Sequence, residues 1–306
     1  MAFFWSSQLD KGLEACRLGD YQRALRLLRP VAEKGHALAQ TSLGTMFRKG
    51  LGTTIDYDQA FYWFSKASER DDLIAIHNLA RMYEFGEGVP QDYEQAFKRY
   101  RELAEKGMAA AQCDYARMHH VGLGVPQDFA KALYWYQQAA AQGEPVAQYN
   151  SGLLHEHGLG TSRNLSEAAR LYRLAAERGY PNAQHNAGVL YAHGLGVDQN
   201  FAEAAKWFQL AAKQGVAQAW VNLGVLYKQG KGVPQNYAKA VELFKLAAEA
   251  NESIAECHLG TMYELGLGVE QSRSDAISWY LRAAAHGDPQ AKEKLATLTD
   301  AAGGAN

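Results

Sequence analysis

The chain is organised around one fixed distance. A Gly-x-Gly pair stands at Gly50/Gly52 and returns at Gly86/Gly88, Gly122/Gly124, Gly158/Gly160, Gly194/Gly196, Gly230/Gly232 and Gly266/Gly268, each pair 36 residues after the last. A constant period of this length means stacked supersecondary units, none of which can bury its own apolar face alone. It replaces the domain count that 306 residues would otherwise suggest with a single elongated array.

Each unit carries its own punctuation. Seven repeats start near Ala37, Leu73, Ala109, Pro145, Pro181, Ala217 and Ser253, and each divides into two helices, A and B. Helix A holds an alanine column (Ala39, Ala75, Ala111, Ala147, Ala183, Ala219, Ala255) and a second small column (Gly44, Ala80, Ala116, Gly152, Gly188, Gly224, Gly260). Glycine inside a helix costs propensity, so the second column predicts a neighbour passing too close for a larger side chain. Helix A should end at the Gly-x-Gly pair, where glycine adopts the left-handed conformation without penalty. Asp56, Asp92, Asp128, Asn164, Asn200, Asn236 and Ser272 then share a column of good N-caps, and Gln59, Gln95, Glu167 and Glu203 three residues on suggest capping boxes.

Helix B repeats an alanine (Ala60, Ala96, Ala132, Ala168, Ala204, Ala240, Ala276) and, four residues later, an aromatic ring (Phe64, Tyr100, Tyr136, Tyr172, Phe208, Phe244, Tyr280). That spacing places both on one face, which should pack on helix A of the same and the following repeat. Deleting one such ring should cost about 3 to 5 kcal/mol. Before the repeats, residues 8–35 read as a helical hairpin with a tight Leu18-Gly19-Asp20 turn, in which Pro30 should kink or end the second helix. After them, residues 288–298 should form a capping helix and residues 299–306 a flexible tail. The predicted fold is therefore all-α: antiparallel helix pairs stacked into a solenoid, with the seven full repeats over residues 37–287.

Composition narrows the function. A hydrophobic fraction of 47% with 17 Tyr, 11 Phe and 6 Trp supports a continuous core. With 31 basic and 33 acidic residues the net charge is -2, which gives no pull toward phosphate backbones or anionic membranes, so nucleic acid is not expected as a partner. No apolar run approaches a membrane span, and membrane insertion is not expected. The start, MAFFWSSQLDKG, has neither a basic n-region nor a long apolar core. The chain as written is thus expected to be cytoplasmic, although a processed start would look the same and would place it in the periplasm or outside the cell. Cys16, Cys113 and Cys257 fall in different repeats and should be free or buried thiols rather than a disulfide framework.

The unit Ala219-x-x-x-Leu223-Gly224-x-x-Tyr227-x-x-Gly230-x-Gly232-Val233, followed by Ala240 and Ala247-Ala248, resembles the Sel1-like repeat. The resemblance covers residues 37–287; residues 8–35, with their short turn, look closer to the related tetratricopeptide pattern. It implies a right-handed α-solenoid whose concave side is lined by the A helices, in adaptor proteins that assemble complexes. Asp71 and Asn251 stand where other repeats close helix B with glycine, and Arg273 where Tyr57, Tyr93 and Phe129 stand, so these junctions are expected to be irregular. The cysteine pair per repeat of some secreted members is missing.

No cofactor, metal or catalytic set is expected. The glycine pairs lack the Lys-Ser or Lys-Thr of a phosphate loop. His119 and His155 occupy a column that holds Tyr83, Tyr191 and Tyr227 and should pack as rings rather than bind zinc. Glu84, Glu156 and Glu264 share a column expected to be a solvated face.

The informative column is Asn78, Asn150, Asn186 and Asn222. Asparagine is a mediocre helix former, so its recurrence needs a cause: either a bond to a neighbouring helix, or an amide aimed at a partner's backbone. With Arg81, Arg117, Tyr149, His185 and Lys228, and His77 beside them, these residues are the candidate partner-binding positions; Arg81 and Arg117 could grip a carboxylate. The expected function is a non-catalytic scaffold or adaptor for a protein or peptide partner, with a monomer favoured. The alternatives are an accessory subunit of an enzyme or cell-envelope complex and, less favoured by charge, an RNA-reading repeat.

Overall fold

The computed structural model describes the backbone of residues 2–303 and the side chains of residues 7–298. Every regular element among these residues is a helix. In chain order they are α1 (Ala2–Arg17), α2 (Tyr21–Glu33), α3 (Ala37–Lys49), α4 (Tyr57–Ser68), α5 (Leu73–Phe85), α6 (Tyr93–Glu105), α7 (Ala109–Val121), α8 (Phe129–Ala141), α9 (Pro145–His157), α10 (Leu165–Glu177), α11 (Pro181–His193), α12 (Phe201–Lys213), α13 (Ala217–Gln229), α14 (Tyr237–Glu249), α15 (Ser253–Leu265), α16 (Arg273–Ala285) and α17 (Pro289–Gly303). Odd-numbered helices from α3 to α15 are the A helices and even-numbered ones from α4 to α16 the B helices, beginning at the positions the punctuation predicts. The chain divides into two compact units, Met1–Ala147 and Gln148–Asn306. Within each, consecutive helices pack in sequence order, as in the pairs α3 with α4, α4 with α5, α11 with α12 and α12 with α13.

The small column lies under the ring column. A Cβ added at Gly44 would come within 2.6 Å of Phe64, and one at Gly260 within 2.5 Å of Tyr280. Packing therefore outweighs helix propensity, as the sequence predicts. The second glycine of each pair serves a different contact: a Cβ at Gly88 would meet the backbone of Tyr57 at 2.8 Å, because the loop lies on the start of the preceding helix B.

Each N-cap side chain accepts from the amide three residues on, at 2.9 Å for Asp56 to Gln59 and 3.0 Å for Asn164 to Glu167. The reciprocal half of the capping boxes does not form. The N-cap amide is already used, donating to a carbonyl near the end of helix A, as from Asp92 to Tyr83 and from Asn200 to Tyr191. Gln95, Glu167 and Glu203 instead bind Arg99, Arg170 and Lys206 on their own helices. The residue before the N-cap closes the loop: the side chains of Gln91, Gln127, Gln199, Gln235 and Gln271 donate to the carbonyl seven residues back.

Several junctions are more regular than expected. Asp71 and Asn251 adopt φ of 56° and 62°, the left-handed conformation glycine supplies elsewhere, which short Asx side chains tolerate. Arg273 starts α16 as a ring residue does in other repeats. Pro30 does not end α2, which runs on to Glu33; Val31 and Ala32 are buried and their packing holds the last turn. At the far end α17 continues past Leu298 to Gly303, and residues 304–306 of the expected tail lie outside the described residues. Among the described residues no helix is long and apolar enough to cross a membrane.

Candidate functional site on the A helices

A helix packed between its own helix B and the helix B of the preceding repeat has one stripe left, and the candidate residues lie on or beside it. In the first unit most of them are joined. The Arg48 Nε donates to Glu87 Oε2 at 2.7 Å and its Nη1 to Asn78 Oδ1 at 3.2 Å, while Asn78 Nδ2 donates to the Ile74 carbonyl at 2.8 Å. His77 Nε2 lies 2.8 Å from Asp114 Oδ2, one repeat on. Arg117 Nη2 donates to Glu84 Oε1 at 2.6 Å and lies 3.6 Å from Asp114 Oδ1; the Tyr100 hydroxyl donates to Glu84 Oε2 at 2.9 Å. Glu84 is 2% exposed, so the expectation of a solvated face is wrong for it. A carboxylate at that depth persists because a guanidinium and a phenol together satisfy it. Burial, with Asp114 and Glu84 adding to it, pushes the Tyr100 hydroxyl far above the ordinary phenol range.

Arg117 thus grips a carboxylate, as its sequence position suggests, but the chain's own. Arg81 does not. Its guanidinium carbon lies 5.8 Å from the centre of the Phe85 ring, and its Nε is buried without a hydrogen-bond partner.

In the second unit the columns of His77 and Asp114 carry neutral groups at His185 and Asn222, while the column of Glu84 keeps its acid at Glu156 and Glu264. Asn222 Nδ2 lies 3.0 Å from His185 Nε2, and His185 Nδ1 lies 3.2 Å from Asn186 Oδ1. With an amide nitrogen facing it, Nε2 accepts and Nδ1–H donates, which is the neutral tautomer. Burial lowers the His185 pKa and favours that form. Tyr149 packs between the rings of Tyr172 and Tyr180 at 5.6 and 5.1 Å. Asn150 is partly buried at the equivalent position of α9. Lys228 is partly buried, and desolvation, helped by the charge on Lys294, holds its ammonium below the usual lysine range. His258 takes the asparagine position on α15, stacked on Phe244 at 4.8 Å. Burial, with Lys228 nearby, brings its pKa down to about 4.

Asn78 and Asn222 therefore bond to a neighbouring A helix, the first of the two causes weighed for that column, while Asn186 bonds to His185 on its own helix. The residues that sequence reasoning missed are Arg48, Glu84, Glu87, Tyr100 and Asp114. A signal for part of this set was present: Glu84, Glu156 and Glu264 each stand 16 residues before a tyrosine of the ring column, whereas Arg48, Ala192 and Lys228 at that position stand before phenylalanine; His120, before Tyr136, is the exception. The hydroxyls of Tyr172 and Tyr280 donate to Glu156 and Glu264 as Tyr100 does to Glu84.

Chemically, these arrangements tie neighbouring A helices together. His119 is buried among the rings of Phe97 and Tyr115, as its column predicts. Among the described residues no group of three or more His, Cys, Asp or Glu side chains is placed to hold a metal ion. Burial raises the Cys113 thiol to about 12 and Cys257 to about 11, so neither is a ready nucleophile. A cleft of about 600 Å³ lies along α2, lined by Leu25, Arg26, Arg29 and Pro30 among others, and holds none of the candidate residues.

A model of the Sel1 repeat matches residues 10–36, 37–72, 73–108, 109–144, 145–180, 181–216, 217–252 and 253–288, so the first hairpin is matched with the seven full repeats. The crystal structure of c5321, described as a protective antigen present in uropathogenic Escherichia coli strains displaying an SLR fold, is 37% identical over 90% of this chain, with a TM-score of 0.84. The chain spans 59% of the length of that structure. The crystal structure of a Sel1 repeat protein from Oxalobacter formigenes is 30% identical, covers 97% of this chain and 90% of its own, and has a TM-score of 0.68. A comparison with curated proteins gives no match. The repeat model and both structures agree with the helix pairs described above: this chain belongs to the Sel1 repeat family, whose members are generally protein-interaction scaffolds.

Proposed function

We propose that the protein is a non-catalytic scaffold that binds a protein or peptide partner along its A helices. One observation carries this reading. The packing columns are uniform from repeat to repeat, while the outward stripe of the A helices varies and exposes apolar side chains at both ends. Ile74 is 52% exposed at the start of α5, with Phe85 at 55% and Val121 at 57% at the ends of α5 and α7. In the second unit Ile254 and Leu265 flank α15 at 54% and 57%. Structural columns have no reason to vary, and apolar groups flanking polar ones suit a segment laid across the helices. The candidate residues enter as its polar middle: Asn78, Arg81 and Arg117 in the first unit, and Tyr149, Asn150, His185, Asn186, Asn222 and Lys228 in the second.

The test is site-specific photo-crosslinking in the source cell. A photoreactive side chain at position 85 or 254, on the A helices, should capture a discrete protein, and one at position 98 or 206, on the exposed side of B helices, should not. Equal capture from both faces, or none from the A helices, would remove the reading.

A further inference from the structure

One ion pair in the 36-residue register has lost its acid. Arg117 on α7 reaches back 33 positions to Glu84 on α5, with 2.6 Å between Nη2 and Oε1. Arg81 holds the same position one repeat earlier, and 33 positions back from it stands Arg48. The accompanying ring of helix B is Phe64, where the complete pair has the Tyr100 hydroxyl. Arg48 is already engaged by Glu87 and Asn78. Among the described residues no carboxylate oxygen lies within 4.0 Å of Arg81; it keeps the Phe85 ring at 5.8 Å and a buried Nε with no acceptor. The Nε is closed to solvent but Arg81 as a whole is only partly buried, so an incoming carboxylate meets its Nη groups, as Glu84 meets Nη2 of Arg117.

We propose that Arg81 is the docking point for an acidic side chain of the partner, and that the residue next to that acid lies on the exposed rings and methyls of Phe85 and Val121. The inference rests on the A helices being the interaction face and adds the chemistry of what they hold: a linear segment with Asp or Glu beside an apolar residue. The internal template is Glu84, a side-chain carboxylate held by the equivalent arginine. Charge complementarity points the same way. The asparagine position of this repeat, Asn78, carries no charge, whereas Asp114 stands beside Arg117.

The probe is a fluorescein-labelled, C-terminally amidated peptide Gly-Ser-Glu-Phe-Ser-Gly, with a counterpart carrying Gln in place of Glu, titrated with the full chain in low salt and read by fluorescence anisotropy. The Glu peptide should bind at least tenfold more tightly than the Gln peptide, and Arg81→Gln should abolish the difference. Arg48→Glu, which puts a tethered carboxylate where Arg117 has one, should abolish it too, and both variants should keep the far-ultraviolet circular dichroism of the parent chain, which guards against a loss of binding that merely reflects misfolding. Equal binding of the two peptides, no binding of the Glu peptide, or full discrimination by Arg81→Gln would each overturn the proposal. If Arg81→Gln leaves photo-capture from position 85 unchanged, the acid site fails and the scaffold reading stands. If the wild-type chain captures nothing there, the scaffold reading fails first.

Discussion

The two units meet the same requirement, joining one A helix to the next through a residue pair 37 positions apart, with opposite chemistry. In the first, His77 meets Asp114, and Arg117 and a buried glutamate continue the network. In the second, His185 meets Asn222 and Asn186, all three neutral, and the acid-tyrosine bonds of Glu156 and Glu264 carry no arginine. Each unit thus holds a polar link between two of its A helices at the same register, ionic in one and neutral in the other. A consequence follows for stability. Removing one partner of a buried ion strands a charge, while removing one partner of an amide pair strands only a dipole.

The largest expected effect tests that contrast directly. Arg117→Ala leaves Glu84 buried with only the Tyr100 hydroxyl and should destabilise the chain by about 3 to 5 kcal/mol in urea unfolding. A loss below about 1 kcal/mol would mean that the carboxylate escapes to water and that the two networks are equivalent.

Acid should act next, on the second unit through His258. Its folded pKa is about 4 against an ordinary 6.5, so the unfolded chain takes up a proton that the folded chain refuses. Stability is full above about pH 6.5 and falls as the pH drops toward 4, by up to about 3 kcal/mol. The lowered pKa of His185 adds in the same direction. His258→Asn, which restores the residue this column holds elsewhere, should flatten most of the slope in unfolding midpoints measured from pH 7 to 4; an unchanged slope would assign it to other groups.

The small column provides a third test. Gly188→Ala places a Cβ 2.6 Å from the Phe208 ring and should cost about 1 to 3 kcal/mol, even though alanine is the better helix former. The first unit tolerates alanine at this position, as Ala80 and Ala116, and Ala80 is buried, so Ala80→Gly should cost about 1 to 2 kcal/mol from lost propensity and a lost buried methyl. If both substitutions stabilised or both were neutral in thermal unfolding, ring packing would not be what selects between glycine and alanine.

The smallest effect belongs to the neutral link. Asn222→Ala removes one partly buried bond and should cost about 1 kcal/mol. The double substitution with His185→Ala should cost less than the sum of the single ones, because both remove the same contact.

Much of the fold was legible. Columns such as Ala60 to Ala276, the N-caps from Asp56 to Ser272 and the glycine pairs locate every A and B helix from α3 to α16, because each depends on neighbours within a few residues. The capping boxes misled because the N-cap amide is taken by a carbonyl nine residues back, a loop closure that a motif of four residues does not contain. Pro30 misled for a related reason: Val31 and Ala32 are held from outside the helix. At the candidate site, the existence of the asparagine column was legible, and its partners were not. His185 reaches Asn222 across 37 positions, and only the packing of α11 and α13 on the intervening α12 sets that pairing.

By itself the sequence determined the period, the helix pairs and which face of each helix is buried, since periodicity and capping are local and repeat seven times. Only the tertiary structure decided what the polar columns do. It took Glu84 out of solvent and gave it to Tyr100 and Arg117, tied Asn78 to Arg48, and left Arg81 with no acid among the described residues. These outcomes depend on which side chains long enough to cross a repeat meet a complementary group there. That is a matter of distance and dielectric between elements rather than of spacing along the chain.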